Sequence, residues 1–160
     1  MKFISLILSI LIVMSIDAQV TKVSLQASGL TCSMCSNSIN KALKTLDYIL
    51  EVDANIKTYT FDIVFKPGAD VDFDMIKTKV ENAGFTVSSF IVTINFHNVS
   101  VTNNQSIEIA GKTFLFSKLD EQGLKGTRQV KILDKGFVSS KEYKINSFPI
   151  LPQGTYHAAI

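Results

Sequence analysis

Gly29-Leu30-Thr31-Cys32-Ser33-Met34-Cys35 is the stretch on which the fold turns, because the residue period changes across it. Upstream, Val20 to Ala27 alternates, with Val23, Leu25 and Ala27 on one side and Lys22, Ser24 and Gln26 on the other, as in a half-buried strand. Downstream, Cys35, Ile39, Ala42, Leu43 and Leu46 recur at helical spacing, with Ser36, Asn37, Asn40, Lys41 and Lys44 on the wet face. A strand-to-helix loop therefore carries both cysteines of the chain. Thiolates are soft ligands, and a Cys-x-x-Cys turn can set two sulfurs on one thiophilic ion. The same spacing also serves thiol–disulfide chemistry, since a helix N-terminus lowers a cysteine pKa.

Working outward, Tyr48 to Ala54 reads as a second strand with Leu50, Val52 and Ala54 inward, and Asn55-Ile56-Lys57 as its hairpin connection. Tyr59, Phe61, Ile63 and Phe65 alternate with Thr60, Asp62 and Val64, and Lys66-Pro67-Gly68 ends that strand. Asp72 is placed to cap a helix whose apolar face is Phe73, Ile76, Val80 and Ala83, with Gly84 as a left-handed stop. Phe85 to Val92 closes the unit as a fourth strand. Strand, helix, strand, strand, helix, strand is the split βαβ, ferredoxin-like plan, so residues 19–92 are expected to form one α+β domain.

Beyond Thr93 helical periodicity stops. Ile107-Glu108-Ile109 leads through Ala110-Gly111-Lys112 into Phe114-Leu115-Phe116, a hairpin pattern. Val130 to Leu133, Tyr143 to Ile145 and Tyr156 to Ile160 read as further strands, and Asn146 to Gln153 carries two of the three prolines. Residues 93–160 are accordingly expected to form a small all-β domain, a barrel or sandwich.

The first eighteen residues read as a signal peptide. Lys2 precedes an apolar run from Phe3 to Ile16, too short for a comfortable membrane span, and Ala18 offers a small residue for cleavage. The protein is thus expected to be exported, periplasmic or secreted, with no membrane span after cleavage. Export sharpens the question of the cysteines, because thiols outside the cytoplasm are oxidised unless held reduced or metallated. A disulfide across two intervening residues closes too small a loop to staple a fold, so the pair reads as a site. The 16 basic and 14 acidic side chains leave a scattered net charge of +2, with no basic stripe for nucleic acid and no acidic tail.

Residues 20–92 resemble the heavy-metal-associated domain of copper chaperones, metal-pumping ATPases and periplasmic mercury-binding proteins. The resemblance rests on Gly29-Leu30-Thr31-Cys32-Ser33-Met34-Cys35, close to the family's Gly-Met-Thr-Cys-x-x-Cys loop, and on Glu81-Asn82-Ala83-Gly84-Phe85, close to its Gly-Tyr or Gly-Phe ending. It implies that Cys32 and Cys35 bind a soft ion, most often Cu(I), in a near-linear dithiolate. Hg(II), Zn(II) and Cd(II) suit the same donors. It also implies a metal-transporting or metal-receiving protein as partner. Four positions, at three places, depart from the pattern. Leu30 replaces the usual methionine, a volume-conserving change under the loop. Asp47-Tyr48 stands where many members have Gly-Val, and Phe85 brings neither charge nor hydroxyl where cytosolic chaperones carry Lys or Tyr.

Other candidates carry blander readings. Met34 offers a thioether between the cysteines, or an exposed partner contact. His97 and His157 lack metal-ligand spacing to another donor, so ordinary core or surface roles are expected of them. Asp70, Asp72 and Asp74 alternate like calcium ligands without the rest of that loop. Asn98-Val99-Ser100 and Asn104-Gln105-Ser106 match the glycosylation pattern, which has meaning only in a eukaryotic secretory route. No nucleophile–base pairing points to an enzyme. The leading expectation is an exported carrier of Cu(I) or a similar ion, in trafficking or detoxification. The alternatives are a thiol–disulfide protein, disfavoured by the absence of a Trp before Cys32, and an interaction module centred on the β domain.

Overall fold

In a computed structural model of the chain, which describes residues 19–30, 33–99, 106–118, 124–146 and 148–160, the alternating segments are strands and the helical-period segments are helices. The expected leader, residues 1–18, lies outside the described residues. β1 (Gln19–Ser28), α1 (Ser33–Leu43), β2 (Ile49–Asn55), β3 (Thr60–Phe65), α2 (Phe73–Asn82) and β4 (Thr86–Val99) follow in the expected order. The strands lie β2-β3-β1-β4, each neighbouring pair antiparallel, and α1 and α2 pack side by side over them. This is the ferredoxin-like arrangement. Its interior is filled by Val23, Leu25, Ile39, Phe61, Ile63 and Ile76, each at most 1% exposed.

One strand departs from the expected face. Leu50 is 61% exposed, while Ile49 and Val52 are buried. The pairing of β2 with β3 shifts between Ile49 and Glu51, and such an irregularity resets which alternate residues point inward.

α2 ends at both sides as the sequence dictates. The Asp72 carboxylate accepts a hydrogen bond from the Met75 amide at 2.9 Å, satisfying an N–H that the helix itself leaves unpaired. At the other end the Phe85 amide donates to the Val80 carbonyl (3.2 Å) and the Gly84 amide to Glu81 (2.9 Å). Gly84 holds φ +90°, which a side chain would strain. Asp72→Ala is expected to cost about 1 kcal/mol. A urea titration should show a lower midpoint with an unchanged slope, and an unmoved midpoint would deny the cap its energetic role.

The second half does not close on itself as a barrel or sandwich. β5 (Ser106–Ile109), β6 (Lys112–Lys118), β7 (Leu124–Ile132) and β8 (Thr155–Ala159) extend the first sheet to give the order β2-β3-β1-β4-β7-β8-β6-β5. The physical reason lies in β4. Phe90, Val92, Ile94 and Phe96 are all at most 1% exposed, so the alternation runs on through residue 93, and the edge not used by β1 accepts β7 from Ile91↔Lys131 to Val99↔Leu124. β8 then bridges β7 and β6, parallel to the latter. The stretch read as a strand at Tyr143 to Ile145 is instead part of a short helix, α3 (Ser140–Asn146). Its Glu142 pairs with Lys131 of β7 at 2.6 Å.

Aromatic rings join the two halves. Phe73 of α2 meets Phe90 and Tyr156 at 5.5 Å and Phe114 at 6.4 Å between ring centroids. Phe137 stands edge-on to Phe90 and Tyr156 at 5.1 and 5.6 Å. Edge-to-face geometry of this kind stabilises beyond simple area burial. The Tyr156 hydroxyl donates to Asp74 Oδ2 at 2.9 Å. Burial, then the charge of Asp74, raise the pKa of this phenol far above its ordinary value, so it stays a neutral donor.

Candidate metal centre

The cysteine loop is positioned by three elements that converge at one end of the sheet. β1 delivers the chain to Gly29, whose φ of +88° turns it sharply. Leu30 then buries its side chain, 7% exposed, which is the role expected of the methionine it replaces. α2 and β4 meet at Phe85, whose ring comes within 3.9 Å of where a Cβ on Gly29 would stand. The Ser28 and Thr86 hydroxyls, 2.7 Å apart, tie the two chain segments together.

Cys35 stands in the first turn of α1, half-buried and packed at the edge of the core. The positive end of the helix dipole favours a thiolate there. Thr31 and Cys32 lie outside the described residues. Met34, one residue before Cys35, is 79% exposed.

The helix carries one difference from its sequence pattern. Ser36, placed on the wet face by periodicity, is 2% exposed. The buried stripe is Ser36, Ile39 and Leu43, rotated slightly from a stripe centred on Cys35. Among the described residues, the Ser36 hydroxyl and Asn40 Oδ1 are buried without a hydrogen-bond partner. Sequence reading missed this because serine signals the surface by composition alone.

His157 and the three aspartates have structural partners. His157 is 7% exposed, its Nδ1 is 2.7 Å from Asp134 Oδ1, and its ring stacks on Phe148 at 4.3 Å. His97 falls in β4, and its side chain lies outside what is described. The three alternating aspartates diverge: Asp70 pairs with Lys112, Asp72 caps α2, and Asp74 holds Lys77 and Tyr156. Among the described residues no three His, Cys, Asp or Glu side chains gather as a ligand set. No helix among them is long and apolar enough to cross a membrane.

Residues 24–86 match the model of the family described as the heavy-metal-associated domain. The chain is 30% identical over 66 residues to the copper-exporting P-type ATPase of Bacillus subtilis (strain 168), covering 41% of this chain and 8% of that protein. It is 34% identical over 73 residues to the probable copper-transporting ATPase HMA5 of Arabidopsis thaliana, covering 46% of this chain and 7% of that one. The chain thus spans less than a tenth of these relatives. Among solved structures, the yeast copper transporter domain Ccc2a is 32% identical over 41% of this chain and 88% of its own, with a TM-score of 0.37.

Proposed function

We propose, from a match to the heavy-metal-associated domain at residues 24–86, with Cys32 between β1 and α1 in sequence and Cys35 in the first turn of α1, that this protein carries Cu(I) and hands it to a receiving protein. The observation that supports this most is the placement of Cys35. It sits at the positive end of α1, beside the exposed Met34, where a bound ion is reachable by a partner's thiolates. Cys32 and Cys35 are the ligands in this reading. Two sulfurs leave Cu(I) coordinatively open, so a third thiolate can attack before either of the first two leaves, and no free ion is released. The role is binding and transfer rather than chemical conversion. Hg(II), Zn(II) and Cd(II) are the competing ions. The apolar run from Phe3 to Ile16 supports export in this reading, to the periplasm or by secretion, and the partner is a metal-transporting or metal-receiving protein.

The test is a titration of reduced protein with Cu(I) against a competing chelator, repeated for Cys32→Ser and Cys35→Ser. The wild type is expected to bind one ion with a Kd below about 1 nM, and either variant to weaken by roughly a thousandfold, about 4 kcal/mol. Reduced wild type that leaves Cu(I) on the chelator would overturn the proposal.

A further inference from the structure

Lys112 opens β6 directly after a two-residue turn in which Ala110 and Gly111 both have positive φ. It is 8% exposed, yet it carries an ammonium group. That group donates to Asp70 Oδ1 at 3.0 Å and lies 5.7 Å from the centroid of the Phe73 ring. An ammonium has three N–H donors, and among the described residues Asp70 is its one hydrogen-bond acceptor. A buried charge is costly unless it is well paired and fully bonded. Asp70 pairs it poorly. Its side chain is 92% exposed, so the carboxylate keeps most of its hydration and is readily displaced.

This pair lies in a cleft of about 990 Å³ between the Gly68–Val71 loop, the β5–β6 turn and the start of β1. Glu108, exposed on β5, also faces it. The cleft is at the opposite end of β1 from the cysteine loop, about 30 Å away at the rise of an extended strand. A second cleft among the described residues, about 470 Å³ beside α2, has its carboxylates already paired. There both oxygens of Asp74 are taken by Lys77 and Tyr156, and both oxygens of Asp134 by His157.

We infer that the Lys112 cleft binds a small zwitterion, whose carboxylate replaces that of Asp70 on Lys112 and whose ammonium group faces Glu108. One buried cation below the Glu108 carboxylate matches a ligand with one charge of each sign. A dianion such as phosphate meets that carboxylate without a cation of its own to offset it. Asp70 then acts as an internal competitor, and the apparent affinity is reduced by the fraction of time it occupies Lys112.

Glycylglycine, acetate and inorganic phosphate are the probes, titrated into the full chain while the amide resonances of residues 68–71 and 110–112 are followed by NMR. Glycylglycine is expected to give saturable shifts there, more tightly than acetate or phosphate. Asp70→Asn is expected to bind it roughly threefold tighter or more, by removing the competitor, and Lys112→Met to abolish the response. Because either variant can lose stability, thermal melts are run with and without the dipeptide. Recovery of the Asp70→Asn melting temperature on adding it supports the site. Absence of saturable shifts in both wild type and Asp70→Asn overturns the inference, as does tighter binding of phosphate.

Discussion

Phe73→Ala is expected to destabilise the protein by about 3–5 kcal/mol and to loosen both halves of the sheet in one transition. Phe73 is fully buried, and its ring touches Phe90 of the ferredoxin-like unit as well as Phe114 and Tyr156 of the extension. Truncation removes those contacts and leaves a cavity that neither β4 nor β8 can close without losing its register. β4 is shared, pairing with β1 on one edge and β7 on the other, so a fault beneath it is felt on both sides. Native-state hydrogen exchange at β3 and β6 measures this directly, because each reports a different half. Protection should fall by similar factors at both. Loss at β6 with β3 unchanged would mean that the halves unfold separately, and that the shared strand does not couple them.

Most of the first half was legible because its signals agree with one another. The alternation of Phe61, Ile63 and Phe65, the cap at Asp72 and the stop at Gly84 each specify locally what the tertiary structure uses. Leu50 misled because a shift in strand register is set by neighbouring backbone, which no periodicity records. Thr93 misled differently. The change from helical to strand patterning marks the end of α/β alternation, not the end of a strand, and Ile94 and Phe96 continue the buried side of β4. Whether β5 to β8 form a separate body or extend an existing sheet depends on which edge they meet, and both outcomes need the same alternation. The short α3 was hidden because none of its residues is buried, so no amphipathic stripe announces it.

The candidate site was legible to a different depth. The spacing of Cys32 and Cys35 pointed to the proposed ligands, and the change of period between β1 and α1 put Cys35 where the structure has it, in the first turn of a helix. What spacing does not convey is how the loop is buttressed: Gly29 against Phe85, Leu30 in the core, and Ser36 beneath the first turn. Lys112 was invisible for a related reason. A lysine beside a turn reads as solvated, and its burial depends on Phe73 and Asp70, about forty residues away in sequence.

Oxidation is expected to abolish Cu(I) uptake while leaving the fold nearly untouched. Joining Cys32 to Cys35 removes two electrons and two protons and converts both thiols into a disulfide, whose sulfurs are poor ligands for the ion. The loop closed is short, so it constrains the unfolded chain by only about 2 kcal/mol, and the melting temperature should move by about 8 °C or less. Binding should fall by roughly a thousandfold, about 4 kcal/mol, and return when the protein is reduced again without oxygen. Mild thiol oxidant, removal of the excess, and the same chelator competition supply the measurement. An oxidised protein that binds Cu(I) as tightly as the reduced one would place the ligands elsewhere. Rapid catalysed exchange of this disulfide with a substrate disulfide, together with weak Cu(I) binding by the reduced form, would instead favour redox chemistry for the pair. The proposed carrier is therefore protected by its own cargo. Metallated, the two sulfurs are committed to the ion. Unmetallated in an oxidising compartment, they are lost to the disulfide unless a reductant or the next Cu(I) reaches them first.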